Sequence, residues 1–366
     1  MDFGLTEEQL MLRGLVERFV AERYADPKQR ASYRSAANGW SADNWAMLGE
    51  LGLLALPLPA DHGGLGSGPV ELITLLEGLG RGVVVEPVLE HVVLGAGALA
   101  EAGDDATRER FLPAVADGSR HVALAHLEQP ARFAAEAVAT VARRTDDGWR
   151  LDGEKFLVPA GAGADLYVVT ARADGALAQF VVAADAAGLV RRALPLLDGS
   201  VACGLTLAGA PALARLPGGG DALAACLDRG RVAICAETVG LMQFLLDATL
   251  DYVRARKQFG QPLARFQALQ HRLADQYVAL ELARSQLYRA ALVDGPPEER
   301  RRAIAGAKSF IANAAVALGE ECIQLHGAMG VSEELPIGSA HKRILLLATL
   351  FGDADHELDR YLGLAA

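Results

Sequence analysis

The sequence predicts three successive parts: an N-terminal all-α domain (residues 1–120), a middle β domain (121–217) and a C-terminal four-helix bundle (218–366). Three observations predict it. Apolar residues recur at three- and four-residue spacing towards both ends of the chain. From about Val122 the period changes to short, partly β-branched segments punctuated by Asp-Gly pairs. Near the C-terminal side, two long helical patterns meet at Arg256 to His271, where Gly260 and Pro262 break the helix. At 366 residues and 51% apolar content, the chain has ample material for more than one core.

In chain order, Thr6-Glu7-Glu8-Gln9 reads as a capping box, and Leu10, Leu12, Leu15, Val16 and Phe19 form the stripe of the helix it starts. Helical patterns follow at Trp45 to Leu54, Val70 to Leu79, Val88 to Ala102 and Thr107 to Leu112. The joints are rich in glycine and proline, as in Pro59 to Gly66, but match neither a P-loop nor a GxGxxG after a strand, so they are turns rather than phosphate sites. In the middle part, strands are expected around Val138 to Ala142, Leu166 to Thr170 and Phe180 to Ala183. Asp147-Gly148, Asp152-Gly153 and Asp174-Gly175 are expected as hairpin turns. Pro211 and Gly218-Gly219-Gly220 close this part, with Asp221 expected as a helix cap. Four helical patterns remain, about 222–257, 265–292, 297–325 and 338–364, separated by the bend, by Gly295-Pro296-Pro297 and by Gly327 to Gly330.

A formal net charge of −11 argues against nucleic acid and anionic membrane surfaces as partners, and no Lys/Arg run overrides it. A polyanionic ligand must be met locally, and the bend offers the means: Arg256, Lys257, Phe259, Arg265 and Gln267 gather two helix ends, cations, a ring and an amide. Cys203, Cys226, Cys235 and Cys322 have no zinc or CxxC spacing and sit in apolar contexts. They are expected as buried reduced thiols, which points to the cytoplasm. Acidic residues at Asp2, Glu7 and Glu8 stand where a signal peptide is basic, and no uncharged apolar run reaches the roughly 18 residues of a membrane span.

The bend, RKQFGQPLARFQ, resembles the RxxFGxxxxxxQ hairpin of the acyl-CoA dehydrogenase family, and Gln324 to Gly330 resembles that family's QxxGGxG turn. The likeness runs over nearly the whole chain, from Met1-Asp2-Phe3 to Leu350-Phe351-Gly352-Asp353. That last run, with Cys235-Ala236-Glu237, is similar to divergent small subunits of pimeloyl-CoA dehydrogenase. The resemblance implies an acyl-CoA dehydrogenase-like fold, FAD as cofactor and an acyl-CoA substrate. It also implies α,β-desaturation with a carboxylate as base, and electron-transferring flavoprotein as the electron acceptor. It further implies that Arg256 binds the pyrophosphate of FAD held by a neighbouring subunit, with Phe259 packed on it and Gln267, Gln324 and Gly327 at the adenosine end. A guanidinium suits pyrophosphate, and a glycine permits close backbone approach.

Two other family signatures are eroded. Where the family has TEPxxGS and K-x-W-I-T around the flavin ring, this chain has Leu127-Glu128-Gln129-Pro130-Ala131-Arg132-Phe133 and Lys155-Phe156-Leu157-Val158-Pro159. Both flavin-bonding hydroxyls are therefore missing. The two family placements of the base fall on Phe351-Gly352-Asp353 and on Gly230. Glu237 lies seven residues, about two turns or roughly 10 Å, beyond Gly230 on the same helix face. It reads either as a partly buried carboxylate paired with an arginine or as a displaced catalytic base. Asp353 reads as a helix N-terminal residue, and His326 and His356 as turn or packing residues without metal companions. Three readings follow: the small subunit of a heteromeric dehydrogenase giving FAD contacts in trans to a large subunit; a self-sufficient homo-oligomer using Glu237; or a flavin-free acyl-CoA-binding scaffold.

Overall fold

The structure is a computed structural model that describes residues 4–129, 132–332 and 335–363. Met1 to Phe3, Pro130-Ala131 and residue 364 of the last expected helix lie outside the described residues. The order begins with helices α1 (Glu7–Arg23), α2 (Pro27–Arg34), α3 (Ala42–Glu50) and α4 (Pro69–Arg81). A π-helical stretch, Leu89–Ala96, then runs into α5 (Gly97–Ala102), followed by α6 (Asp105–Ala116). Strands follow: β1 (Val122–Ala125), β2 (Val141–Thr145), β3 (Gly148–Val158), β4 (Leu166–Ala173), β5 (Ala176–Ala183), β6 (Leu189–Pro195), β7 (Val201–Pro211) and β8 (Ala214–Leu216). The long helix α7 (Gly220–Ala255) leads to the two-residue strands β9 (Lys257–Gln258) and β10 (Gln261–Pro262). After them come α8 (Gln267–Leu292), α9 (Pro297–His326), α10 (Ile337–Thr349) and α11 (Ala354–Leu362).

These elements divide into two compact units, Met1–Ser32 with Pro69–Val84 and Arg231–Ala366, and Tyr33–Gly68 with Val85–Gly230. Compactness therefore cuts the chain differently from secondary-structure type, and the division falls inside α7. In the first unit the capping box forms as expected. The Thr6 hydroxyl accepts from the Gln9 N–H at 3.3 Å, and the Gln9 amide oxygen accepts from the Thr6 N–H at 2.9 Å. Helix α1 packs on α4 through Gly78, where a Cβ would lie 2.6 Å from Val16. Helix α4 in turn crosses α7 at two glycines: a Cβ at Gly80 would meet the Glu237 carbonyl at 2.2 Å, and one at Gly240 the Glu77 carbonyl at 2.1 Å. Both glycines are thus spacers that let backbones touch.

In the second unit the strands form one sheet in the order β6-β7-β3-β2-β4-β5-β8, with β1 parallel to β4. Its core is Leu151, Tyr167, Val169, Phe180, Val182 and their neighbours. Asp152-Gly153 is not a turn but lies within β3, at a register shift against β7. There Gly153 has φ +151°, and any Cβ would collide with Thr140 at 2.6 Å. The pair β6–β7, joined through Asp198-Gly199, was not foreseen because β6 is exposed along its length and shows no alternation. Asp221 lies in the first turn of α7 rather than capping it. The expected fourth bundle helix is two helices, α10 and α11, because Phe351 (φ 58°) and Gly352 (φ 144°) turn the chain between them.

Helix α7 is long and apolar enough to cross a membrane, but 72% of its most apolar window is buried within the protein, as in a core helix.

Candidate functional site

The bend is built from strained and solvent-facing parts. Strands β9 and β10 pair antiparallel across Phe259 and Gly260, whose φ values of 53° and 81° give the two left-handed residues of a tight hairpin turn. A phenylalanine held there costs about 1 kcal/mol or more, and its ring is 91% exposed, touching Phe266 edge-on at 6.2 Å. The Arg256 backbone is fixed on both sides: its N–H donates to the Tyr252 carbonyl (2.8 Å) and its carbonyl accepts from the Leu263 N–H (2.9 Å). Its guanidinium stands in solvent with no partner among the described residues. Gln267, also exposed, opens α8.

The second motif is brought to the same end of the first unit. The Tyr252 ring stacks on His326 at 4.3 Å and its hydroxyl donates to the His326 carbonyl at 3.4 Å, joining the last turn of α7 to the end of α9. Gln324 is exposed there, and Gly327 (φ 60°) has open space where a side chain would be. His326 itself is buried, donates from Nδ1 to the Cys322 carbonyl at 2.8 Å, and is held neutral by burial, which is a packing role. Among the described residues no group of three or more His, Cys, Asp or Glu could hold a metal ion.

Three carboxylates near the base positions, Glu237, Asp353 and Glu357, are each engaged in hydrogen bonds or ion pairs. Glu237 is buried and gripped by both arms of Arg343, Nε to Oε1 at 2.6 Å and the second arm to Oε2 at 3.1 Å. Asp353 caps α11 by accepting from the His356 N–H at 2.9 Å. Glu357 is fully buried between Arg231 (2.7 Å) and Arg360 (2.7 Å). The turn between α10 and α11 is held by cations: Arg231 donates to the Phe351 carbonyl (2.9 Å), and Lys308 to those of Leu347, Ala348 and Gly352 at 2.9, 3.2 and 3.2 Å. Burial pulls the Lys308 ammonium down to about 8. A side chain at either base position would need a neighbouring side chain to shift. A Cβ at Gly352 would lie 2.3 Å from the Glu357 carboxylate, and one at Gly230 would lie 2.5 Å from Leu94.

In the second unit, the stretches around Leu127 and Pro159 form a buried ion pair that sequence reading passed over, although both its members stood inside the stretches quoted. Lys155 donates to Glu128 at 2.6 Å and to Thr170 at 3.0 Å, while Glu128 also accepts from the Thr140 hydroxyl (2.6 Å) and the Ala139 N–H (2.6 Å). Burial pushes the Glu128 carboxyl up, but the bonds from Lys155 and Thr140 outweigh it and hold it below its ordinary value. Burial likewise draws Lys155 down to about 8 against the pull of Glu128. The Leu127 carbonyl is taken by the Phe156 N–H at 2.9 Å.

Two family descriptions match: "Acyl-CoA dehydrogenase, N-terminal domain" over residues 6–119 and "Acyl-CoA dehydrogenase, C-terminal domain" over 218–360. The mitochondrial isovaleryl-CoA dehydrogenase of Pongo abelii is 30% identical over 352 residues, 92% of this chain and 83% of that protein. The chain belongs to the acyl-CoA dehydrogenase family. Its members are FAD-dependent oxidoreductases acting on CH–CH bonds. A variant of the Tcur3481-Tcur3483 steroid ACAD has a similar structure, with TM-score 0.89 and 33% identity over 98% of this chain and 97% of that one. A chain of the ChsE4-ChsE5 complex from Mycobacterium tuberculosis gives 0.91 and 29% over 99% and 98%. The two ends of an FAD molecule fare differently against the residues present. For a diphosphate, the bend offers an unpaired guanidinium on a fixed backbone, and for the adenosine end Gly327, after α9, leaves an open approach. At the stretches matched to the flavin ring, Leu127 has an apolar side chain and Pro159 has neither a hydroxyl nor a backbone N–H, so this acyl-CoA dehydrogenase lacks a side-chain donor at both positions and a backbone donor at Pro159.

Proposed function

We propose that this chain is the small subunit of a heteromeric acyl-CoA dehydrogenase, lending its hairpin to FAD bound mainly on a catalytic large subunit. The observation that carries the reading is the contrast between an uncommitted Arg256 and a set of committed carboxylates, Glu237, Asp353 and Glu357. In this reading Arg256 holds the pyrophosphate, Phe259 covers it, and Gln267, Gln324 and Gly327 meet the adenosine end. The carboxylate that takes the α proton belongs to the large subunit, and FAD, when bound, accepts the β hydride. The similarity to one chain of the ChsE4-ChsE5 complex supports a heteromeric setting. Electron-transferring flavoprotein is the acceptor we expect, and a reducing cytoplasm suits the four buried free thiols.

Flavin absorbance tests the reading. The chain purified alone is expected to be colourless and inactive on acyl-CoA substrates, and to appear with FAD only when co-expressed with its large subunit. Stoichiometric FAD and turnover in the chain alone would replace this reading with a homo-oligomeric one.

A further inference from the structure

Away from the bend, four rings of the second unit pack into one cluster: Trp40 just before α3, Trp45 within it, His91 in the π-helical stretch and His121 just before β1. The His121 ring is central, its centroid 4.9 Å from that of Trp40, 4.9 Å from that of Trp45 and 5.1 Å from that of His91. Trp45 donates its Nε1–H to the Gly118 carbonyl at 3.0 Å. Trp40 Nε1, His91 Nε2 and His121 Nε2 are also shut off from solvent, yet they have no hydrogen-bond partner among the described residues. Buried polar atoms are rarely left so, and three of them in one cluster point to a shared ligand.

The opposite ring nitrogens dictate what that ligand must offer. His91 Nδ1 lies 2.9 Å from the Val122 carbonyl, which can only accept, so Nδ1 carries the hydrogen. His121 Nδ1 lies 3.3 Å from Asp165 Oδ2, which also accepts the His121 backbone N–H at 2.8 Å, so this Nδ1 carries a hydrogen too. Burial favours the neutral form of both imidazoles. Each Nε2 is then a bare lone pair, whereas the Trp40 indole can only donate. The ligand must therefore give two hydrogens and accept one. An anion would meet two lone pairs, and an alcohol has a single hydrogen to give. A metal ion would meet the Trp40 N–H, and among the described residues no group of three His, Cys, Asp or Glu is placed to hold one. Water alone matches the count. The spacing agrees, because groups that share one water at about 2.9 Å and a tetrahedral angle stand about 4.7 Å apart, close to the separation of these rings. We propose that one internal water is bound here, accepting from Trp40 Nε1–H and donating to His91 Nε2 and His121 Nε2. It ties the π-helical stretch to the segments that lead into α3 and β1, and it does so independently of where FAD binds.

A high-resolution crystal structure of the full chain, together with nitrogen NMR spectra of its histidine rings at neutral pH, tests the site. The expected result is a single peak without anomalous signal at about 2.9 Å from all three nitrogens, with the Nδ1–H tautomer on both histidines. A scatterer with the anomalous signal of a metal, an Nε2–H or doubly protonated ring on either histidine, or no peak among the three nitrogens would each overturn the proposal.

Discussion

The hairpin bend and the turn between α10 and α11 lie in the same compact unit, carry similar numbers of charged and aromatic residues, and treat them in opposite ways. At the bend, Arg256, Lys257 and Gln267 are exposed and a phenylalanine sits 91% in solvent on a left-handed backbone. At the second turn, Phe351 is also left-handed but buried, and Arg231, Lys308 and Glu357 are buried with it, each satisfied by a carboxylate, a carbonyl or a guanidinium. On the proposed reading, strain that faces outward with an unspent cation is arranged for a ligand. Strain that faces inward among paired charges is arranged for the fold. Substitutions at the two places should therefore fail differently.

The largest effect is expected at the inner turn. Glu357→Leu leaves Arg231 and Arg360 without their shared carboxylate in a buried site, which should cost about 3–5 kcal/mol and appear as a marked loss of thermal stability. At the outer bend, Arg256→Ala should leave melting unchanged. It should weaken FAD binding by the assembled complex roughly ten- to hundredfold, the worth of a charge-assisted contact of about 1.5–3 kcal/mol. Equal flavin occupancy in that variant would remove the bend from the site, and a lower melting temperature would erase the contrast.

Acid should probe buried histidines rather than either turn. His91, in the π-helical stretch, donates from Nδ1 to the Val122 carbonyl at 2.9 Å, and burial draws its pKa down to about 3. The unfolded chain therefore takes up a proton near the ordinary value of about 6.5 while the folded chain does not until about 3. In that window the unfolded state binds more protons. Stability contributed by neutral His91 is accordingly complete above about 6.5 and falls by about 1.4 kcal/mol per pH unit towards 3. Burial lowers His121, His326, His341 and His356 in the same direction. Melting followed from pH 7 to 4 should fall steadily, and His91→Gln should flatten part of the slope.

The sequence showed the outer bend far better than the inner turn, for a physical reason. A hairpin between two helices is local: Gly260, Pro262 and the flanking periodicity mark it within a dozen residues, just as Thr6 and Gln9 mark the start of α1. The partners of the buried acids are not local. Glu237 finds Arg343 across 106 positions and Glu357 finds Arg231 across 126, and nothing in either neighbourhood names the other. An arginine partner for Glu237 was expected, but which arginine was a matter of packing. The break between α10 and α11 was readable in part, since Gly352 is the kind of residue such a turn requires. It was hidden because Leu350 and Phe351 continue an apolar pattern into it.

The smallest expected effect bears most directly on where the chemistry lies. Glu237→Gln in the co-expressed complex removes one charge of a bidentate pair and should lower stability, yet turnover per bound FAD should stay close to that of the wild type. The amide can still accept a bond from Arg343, and on the proposed reading the α proton goes to a carboxylate on the other subunit. If turnover per bound FAD instead falls by about 10²–10⁴, the loss expected when a general base is deleted, then Glu237 is the base and the catalytic site lies on this chain.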